Sequence, residues 1–151
     1  MIYLKLFDTL VMVDKGIIQE NNSIQSEIIK QNKEKHILIV DNSLINLKLT
    51  QEIINKFGFT SSTAKDGQEA VDIFKEKGEI FDVILIDENM PIMNGTKAIK
   101  IIRSLVGGDK PYIYGLTGDS DEKVNQAMIN AGVDAILQKP IKIKELKDIL
   151  F

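Results

Sequence analysis

At 151 residues, with 44% hydrophobic and 27% charged residues, the chain has the size and texture of one ordinary globular domain with a substantial core. A formal net charge of −3 argues against a nucleic-acid-binding surface. The absence of cysteine excludes disulfides, thiolate chemistry and cysteine-based metal sites, and makes the cytoplasm the expected compartment.

Residues 1–35 differ in character from the rest and read as an N-terminal extension and linker. Residues 2–18 mix apolar and charged types, which suits either an extended segment or a short helix. Lys5, Asp8, Asp14 and Lys15 break up the apolar runs, so neither a signal sequence nor a membrane span is expected. Residues 19–35 are polar, relieved only by Ile24, Ile28 and Ile29, and read as a linker; an amphipathic dimerisation helix is the rival reading.

From His36 onward, over residues 36–151, strand and helix patterns alternate five times. Short apolar runs at 37–40, 83–86, 112–116 and 135–137, with a weaker one at 59–64, suit buried parallel strands. Between them, residues at helical spacing share faces: Leu44, Leu47, Ile54 and Phe57; Ala98, Ile101, Ile102 and Leu105; Val124, Ala127, Met128 and Ala131; and Ile143, Leu146 and Leu150. Asp66 with Glu69, and Asp119 with Glu122, have capping-box spacing, and Gly58, Gly78 and Gly132 stand where helices should stop. The expected fold is α/β, a parallel sheet covered on both faces.

In such a sheet, ligands bind outside the carboxyl ends of the strands. The first of the five strands ends in Asp41-Asn42, the third in Asp87, the fourth in Thr117 and the fifth in Lys139-Pro140. Two carboxylates, an amide, a hydroxyl and an ammonium are thereby brought to one edge. Together they suit phosphoryl transfer to a carboxylate. Asp41, Asp87 and the Asn42 amide offer hard oxygens to Mg²⁺ or Mn²⁺. Asp87 is placed as the nucleophile, Lys139 neutralises phosphoryl oxygens, and Thr117 donates a hydrogen bond to one of them.

The run ILIDENMPIMNG at 84–95 resembles the phosphoacceptor loop of the response-regulator receiver family, with its aspartate, Met-Pro and Gly in register. ILIVDN at 37–42 is similar to the family's acidic-pair strand, LTG at 116–118 to its switch-hydroxyl strand end, and QKP at 138–140 to its lysine–proline turn. The resemblance covers residues 36–151 and implies a doubly wound, flavodoxin-like sheet with strand order 2-1-3-4-5. It further implies a cis peptide before Pro140, a metal-binding backbone carbonyl at Asn89, and control of acyl-phosphate lifetime by Asn89 and Asp119. The phosphodonor implied is a phosphohistidine on a sensor histidine kinase or phosphotransfer protein, or a small molecule such as acetyl phosphate. A downstream protein partner is also implied, with no nucleic acid or membrane bound directly.

Two positions depart from the family pattern. Asn42 replaces a second acid, which predicts weaker metal affinity without loss of activity. Ile136 replaces the aromatic that in relatives turns inward as the threonine moves. His36 precedes a strand and is expected to be structural, so no kinase activity is visible in cis. The segment itself is not expected to be an enzyme beyond supporting its own phosphorylation and dephosphorylation. A pseudo-receiver that binds partners without phosphorylation is the main alternative. An aspartyl-nucleophile phosphatase fits poorly, since Ser43 stands where that class carries its second aspartate. No output domain is expected after Phe151, and the polar stretch before residue 36 suits the receiver segment of a hybrid histidine kinase.

Overall fold

The computed structural model describes residues 2–6 and 9–13 by their backbone, and residues 34–118 and 121–151 in full. The chain divides into two compact units, Met1–Glu34 and Lys35–Phe151. In the first, β1 (Ile2–Leu6) and β2 (Thr9–Val13) pair antiparallel with Ile2 opposite Val13 and Leu6 opposite Thr9. The extended alternative therefore holds over these residues. Most of the polar stretch read as a linker, with the helix proposed as its rival, lies outside the described residues.

The second unit carries β3 (His36–Val40), β4 (Thr60–Ala64), β5 (Val83–Asp87), β6 (Tyr112–Thr117) and β7 (Ala135–Gln138). They form one parallel five-stranded sheet in the order β4-β3-β5-β6-β7, which is 2-1-3-4-5 when its strands are counted along the chain. The connecting helices are α1 (Leu44–Lys56), α2 (Gly67–Lys77), α3 (Gly95–Ser104), α4 (Glu122–Ala131) and α5 (Ile143–Leu150). A short 3-10 turn, Gly78–Ile80, follows α2.

Alternate residues of each strand face opposite sides of the sheet, so the continuous apolar runs bury both faces. Ile37, Ile39, Val83, Leu85 and Leu116 pack beneath α1 and α5 through Leu47, Ile54, Leu146 and Leu150. Leu38, Val40, Ile84, Ile86 and Ile113 pack beneath α2, α3 and α4 through Val71, Phe74, Ile99, Ile102 and Met128. At the amino ends of the strands, Arg103 donates to the carbonyls of Gly132, Gly108 and Pro111 at 2.9, 2.9 and 2.8 Å and pairs with Asp134 at 3.0 Å. One side chain thereby joins the end of α3 to the loops flanking β6 and β7.

The helix starts explain three differences from the sequence expectations. Leu44 and Ile143 are 70% and 56% exposed, because each is the first residue of its helix and burial begins one turn later, at Leu47 and Leu146. The cap of α4 is Asp121, whose carboxylate accepts the Lys123 amide at 2.9 Å. Glu122 is consequently the first helical residue and does not occupy the third position that a box with Asp119 requires. At α2 the expected cap is present: Asp66 accepts the Glu69 amide at 2.8 Å.

Candidate phosphoryl-transfer site

The site lies at the carboxyl edge of the sheet, where the chain leaves β3, β5, β6 and β7. Parallel pairing sets the residues side by side: Val40 lies opposite Ile86, and Asp87 opposite Leu116. Asp41 and Asp87 therefore leave adjacent strands at the same level, and Thr117 closes the neighbouring one. All three are buried, at 4%, 3% and 2% exposure. Lys139 follows β7, with its amide donating to the Thr117 carbonyl at 2.9 Å. The peptide bond that follows it, Lys139–Pro140, is cis.

The Lys139 ammonium joins the two carboxylates. Its Nζ lies 2.7 Å from Asp87 Oδ2 and 3.4 Å from Asp41 Oδ2. Burial alone would lower the lysine pKa, but its hydrogen bond to Asp87 and the charges of Asp87 and Asp41 outweigh that, and the net shift is upward. Each carboxylate also has amide partners. Asp41 accepts the Ser43 amide at 2.9 Å and the Asn46 side-chain amide at 3.3 Å. Asp87 Oδ1 accepts the Asn89 amide at 3.3 Å.

Local chain geometry explains these positions. Ser43 caps α1 by accepting the Asn46 amide at 3.3 Å, which turns Asn46 back toward Asp41. Gly95 opens α3 directly behind Asp87; a Cβ there would collide with the Asp87 carbonyl oxygen, so only glycine fits. Asn94 caps that helix, accepting the Lys97 amide at 2.9 Å.

The remaining candidate residues are less enclosed. Asn42 and Asn89 are exposed on the rim. Ile136 is half-buried on β7, opposite Gly115 in the register and packed against the α2–α4 core. Asp119 lies outside the described residues. Asn46 was not singled out from the sequence, nor was Glu88, which is 8% exposed beside Asp87. Asn46 is one helical turn past a serine cap, a local signal that the cap spacing carries; Glu88 has no such signal. Beside Lys139 a cleft of about 410 Å³ opens, lined in part by Asp41, Asn46, Leu49, Thr50, Leu116 and Pro140.

Two buried carboxylates and one bridging cation, itself partly exposed at the edge of the sheet, suit an anion arriving at Asp87. They also suit a hard divalent ion. Mg²⁺ is commonly held by one or two carboxylates with several waters retained, so the lack of a three-acid cluster among the described residues is no obstacle.

Comparison with known proteins identifies the family and the fold. Residues 37–151 match the family model described as the response regulator receiver domain. Two-component response regulator 24 of Arabidopsis thaliana is 35% identical over 113 residues, covering 75% of this chain and 79% of the relative. The autoinducer 1 sensor kinase/phosphatase LuxN of Vibrio campbellii is 35% identical over 119 residues, covering 79% of this chain but 13% of that much longer protein. Among solved structures, the receiver domain of the sensor histidine kinase PA1611 of Pseudomonas aeruginosa, which has a magnesium ion coordinated in its active-site cleft, superposes with a TM-score of 0.71 at 27% identity. That match covers 78% of this chain and 94% of the other.

Proposed function

Because this chain belongs to the response-regulator receiver family, we infer that Asp87 accepts a phosphoryl group from a phosphohistidine and that the resulting change of state is read by a partner protein. The observation that carries this reading is the bridge made by Lys139, 2.7 Å from Asp87 and 3.4 Å from Asp41, at the open edge of the sheet.

The chemistry follows from the charges. An Asp87 carboxylate oxygen attacks phosphorus, the O–P bond forms as the P–N bond to the donor imidazole breaks, and that electron pair leaves with the imidazole. Attacking and transferred groups are both anionic, so the transfer depends on positioning and on positive charge. Lys139 supplies such charge to phosphoryl oxygens once it turns from the Asp87 carboxylate to the new acyl phosphate. The Thr117 hydroxyl, one residue beyond the partner of Asp87 on β6, donates to a phosphoryl oxygen. A bound Mg²⁺ or Mn²⁺ would supply further positive charge between carboxylate and phosphoryl group, with Asp41, Asp87, the Asn89 carbonyl and the Asn42 amide as the residues to hold it.

A phosphoryl group shifts the conformational equilibrium only as far as it binds one state better than the other. Thr117 and Lys139 are the contacts that differ between the two states, and Ile136 repacks in place of an aromatic. Asn89 and Asp119 set the lifetime of the acyl phosphate. The donor is a sensor histidine kinase or a histidine phosphotransfer protein, and the setting is the cytoplasm. The polar stretch before residue 36 and the similarity to a sensor kinase support a place in a phosphorelay as the receiver segment of a hybrid kinase.

Incubation with Mg²⁺ and acetyl phosphate, followed by intact-mass measurement, tests the reading. A phosphate-sized increase that is absent in Asp87→Asn supports a working receiver. No increase with acetyl phosphate or with a phosphohistidine donor favours a pseudo-receiver, for which the departures at Asn42 and Ile136 are the arguments.

A further inference from the structure

Glu88 is a buried carboxylate beside the acceptor, and its charge is directed at the start of α3. One oxygen, Oε2, accepts both the Thr96 amide at 2.9 Å and the Thr96 hydroxyl at 2.6 Å. First-turn amides have no acceptor within their own helix, and the helix dipole favours a negative charge there. The backbone of residue 88 is tied as well: its amide donates to the Leu116 carbonyl at 3.1 Å and its carbonyl accepts the Gly95 amide at 3.0 Å. A single residue thus fastens β6 and α3 around the point where the chain leaves Asp87.

The loop that begins at Glu88 needs such fastening. Ile92, a β-branched residue, has φ of +68°, in the left-handed region that such side chains avoid. It is 81% exposed, and its turn is closed by the Met93 amide donating to the Pro91 carbonyl at 2.7 Å. Strained backbone persists only where the surroundings over-determine it. Here the far side of the loop is held by the Gly67 amide on the Met93 carbonyl at 3.1 Å, and the near side by Glu88.

We propose that Glu88 is a positioning residue for phosphoryl transfer: its paired bonds to Thr96 set the loop that carries Asn89 and orient the Asp87 carboxylate. The proposal rests on the reading of Asp87 as the acceptor. Glu88 acts through Asn89, whose amide meets Asp87 Oδ1 at 3.3 Å, and is not itself a third metal-binding acid. Hydrogen bonding is what the role requires, so a neutral amide keeps it and a methyl group does not.

The test compares the wild type with Glu88→Gln, Glu88→Ala and Thr96→Val, following acetyl-phosphate labelling against Mg²⁺ concentration and amide hydrogen exchange without donor. Glu88→Ala is expected to label about tenfold more slowly and to need more Mg²⁺ for half-saturation, as loss of an orienting partner generally does. Glu88→Gln stays near wild type, Thr96→Val falls between, and amides at 89–96 exchange faster in the alanine and valine variants. Wild-type Mg²⁺ dependence in Glu88→Ala, unchanged exchange, or a Gln variant as slow as Ala would each overturn the proposal. If Glu88→Ala does not fold, Thr96→Val decides. If the wild type itself takes no phosphoryl group, the reading of Asp87 fails, while exchange at 89–96 still decides whether Glu88 fastens the loop.

Discussion

Lys139 donates to Asp87 at 2.7 Å, a closer approach than its 3.4 Å contact with Asp41. The cation proposed to neutralise the incoming group is therefore already paired with the proposed acceptor, and it holds two buried carboxylates on adjacent strands together. Replacing it by methionine, which keeps the apolar stem, removes that compensation and leaves the like charges facing each other. Lys139→Met should lower thermal stability in metal-free buffer and gain more from added Mg²⁺ than the wild type does, since a ligand stabilises the state that binds it. It should also lose labelling at Asp87. Thermal melts with and without Mg²⁺ check the first part; equal Mg²⁺ gains in both proteins would contradict it.

The same ion pairs fix the sign of an alkaline pH dependence. The folded chain raises the Lys139 pKa above the ordinary 10.5, because Asp87 and Asp41 outweigh the opposing effect of burial. Its stabilising contribution is therefore complete below that value and lost as pH rises through the folded pKa. Tyr114 acts in the same direction: burial first, then the charge of Asp134 and its neighbour Tyr112, raise its phenol above 10.0, so the unfolded chain ionises first. Denaturant midpoints should hold steady up to about pH 10 and fall beyond it, and the fall should be shallower in Lys139→Met.

Met128 has no exposed surface, and its terminal methyl occupies the space where Gly115 lacks a side chain. A Cβ at Gly115 would collide with that methyl and lie 3.0 Å from the sulfur. Gly115→Ala should cost about 1–3 kcal/mol by overpacking and Met128→Ala about 2–5 kcal/mol by leaving a cavity. The two changes compensate, so the double variant should be less destabilised than the sum, by about 0.5–3 kcal/mol. Urea unfolding of the four proteins measures this. Because Ile136 lies opposite Gly115 and Thr117 two residues along the same strand, the Met128 seat adjoins the proposed switch.

Asn42 is exposed on the rim beside Asp41. Asn42→Asp adds a formal charge where the metal oxygens would gather and should tighten Mg²⁺ binding about tenfold, close to 1.4 kcal/mol, with little change in metal-free stability. Calorimetric titration checks this; unchanged affinity would place residue 42 outside the metal-binding set.

The fold and the edge that carries the site were legible because both depend on local order in the sequence. Continuous apolar runs mark strands buried on both faces, and the first one or two residues after each run mark its carboxyl end, so Asp41, Asp87, Thr117 and Lys139 could be named without coordinates. Glu88 could not, because its partner Thr96 lies across a loop, and a glutamate next to an acceptor carries no period or cap signature. The α4 cap was misread for a related reason: Asp119 and Asp121 are both good caps, and only the true start of the helix at Glu122 chooses between them. Exposure of Leu44 and Ile143 depends on where a helix begins to overlie the sheet, which periodicity does not report.

Chemical trapping of the modified side chain tests the central claim most directly. After acetyl-phosphate treatment with Mg²⁺, borohydride reduces an acyl phosphate on aspartate to homoserine, and peptide mass spectrometry locates it. The residue found should be 87 alone, and the conversion should vanish without Mg²⁺. Homoserine at Asp41 or elsewhere, or none at all under conditions where a donor is consumed, would contradict the assignment of Asp87 as the acceptor.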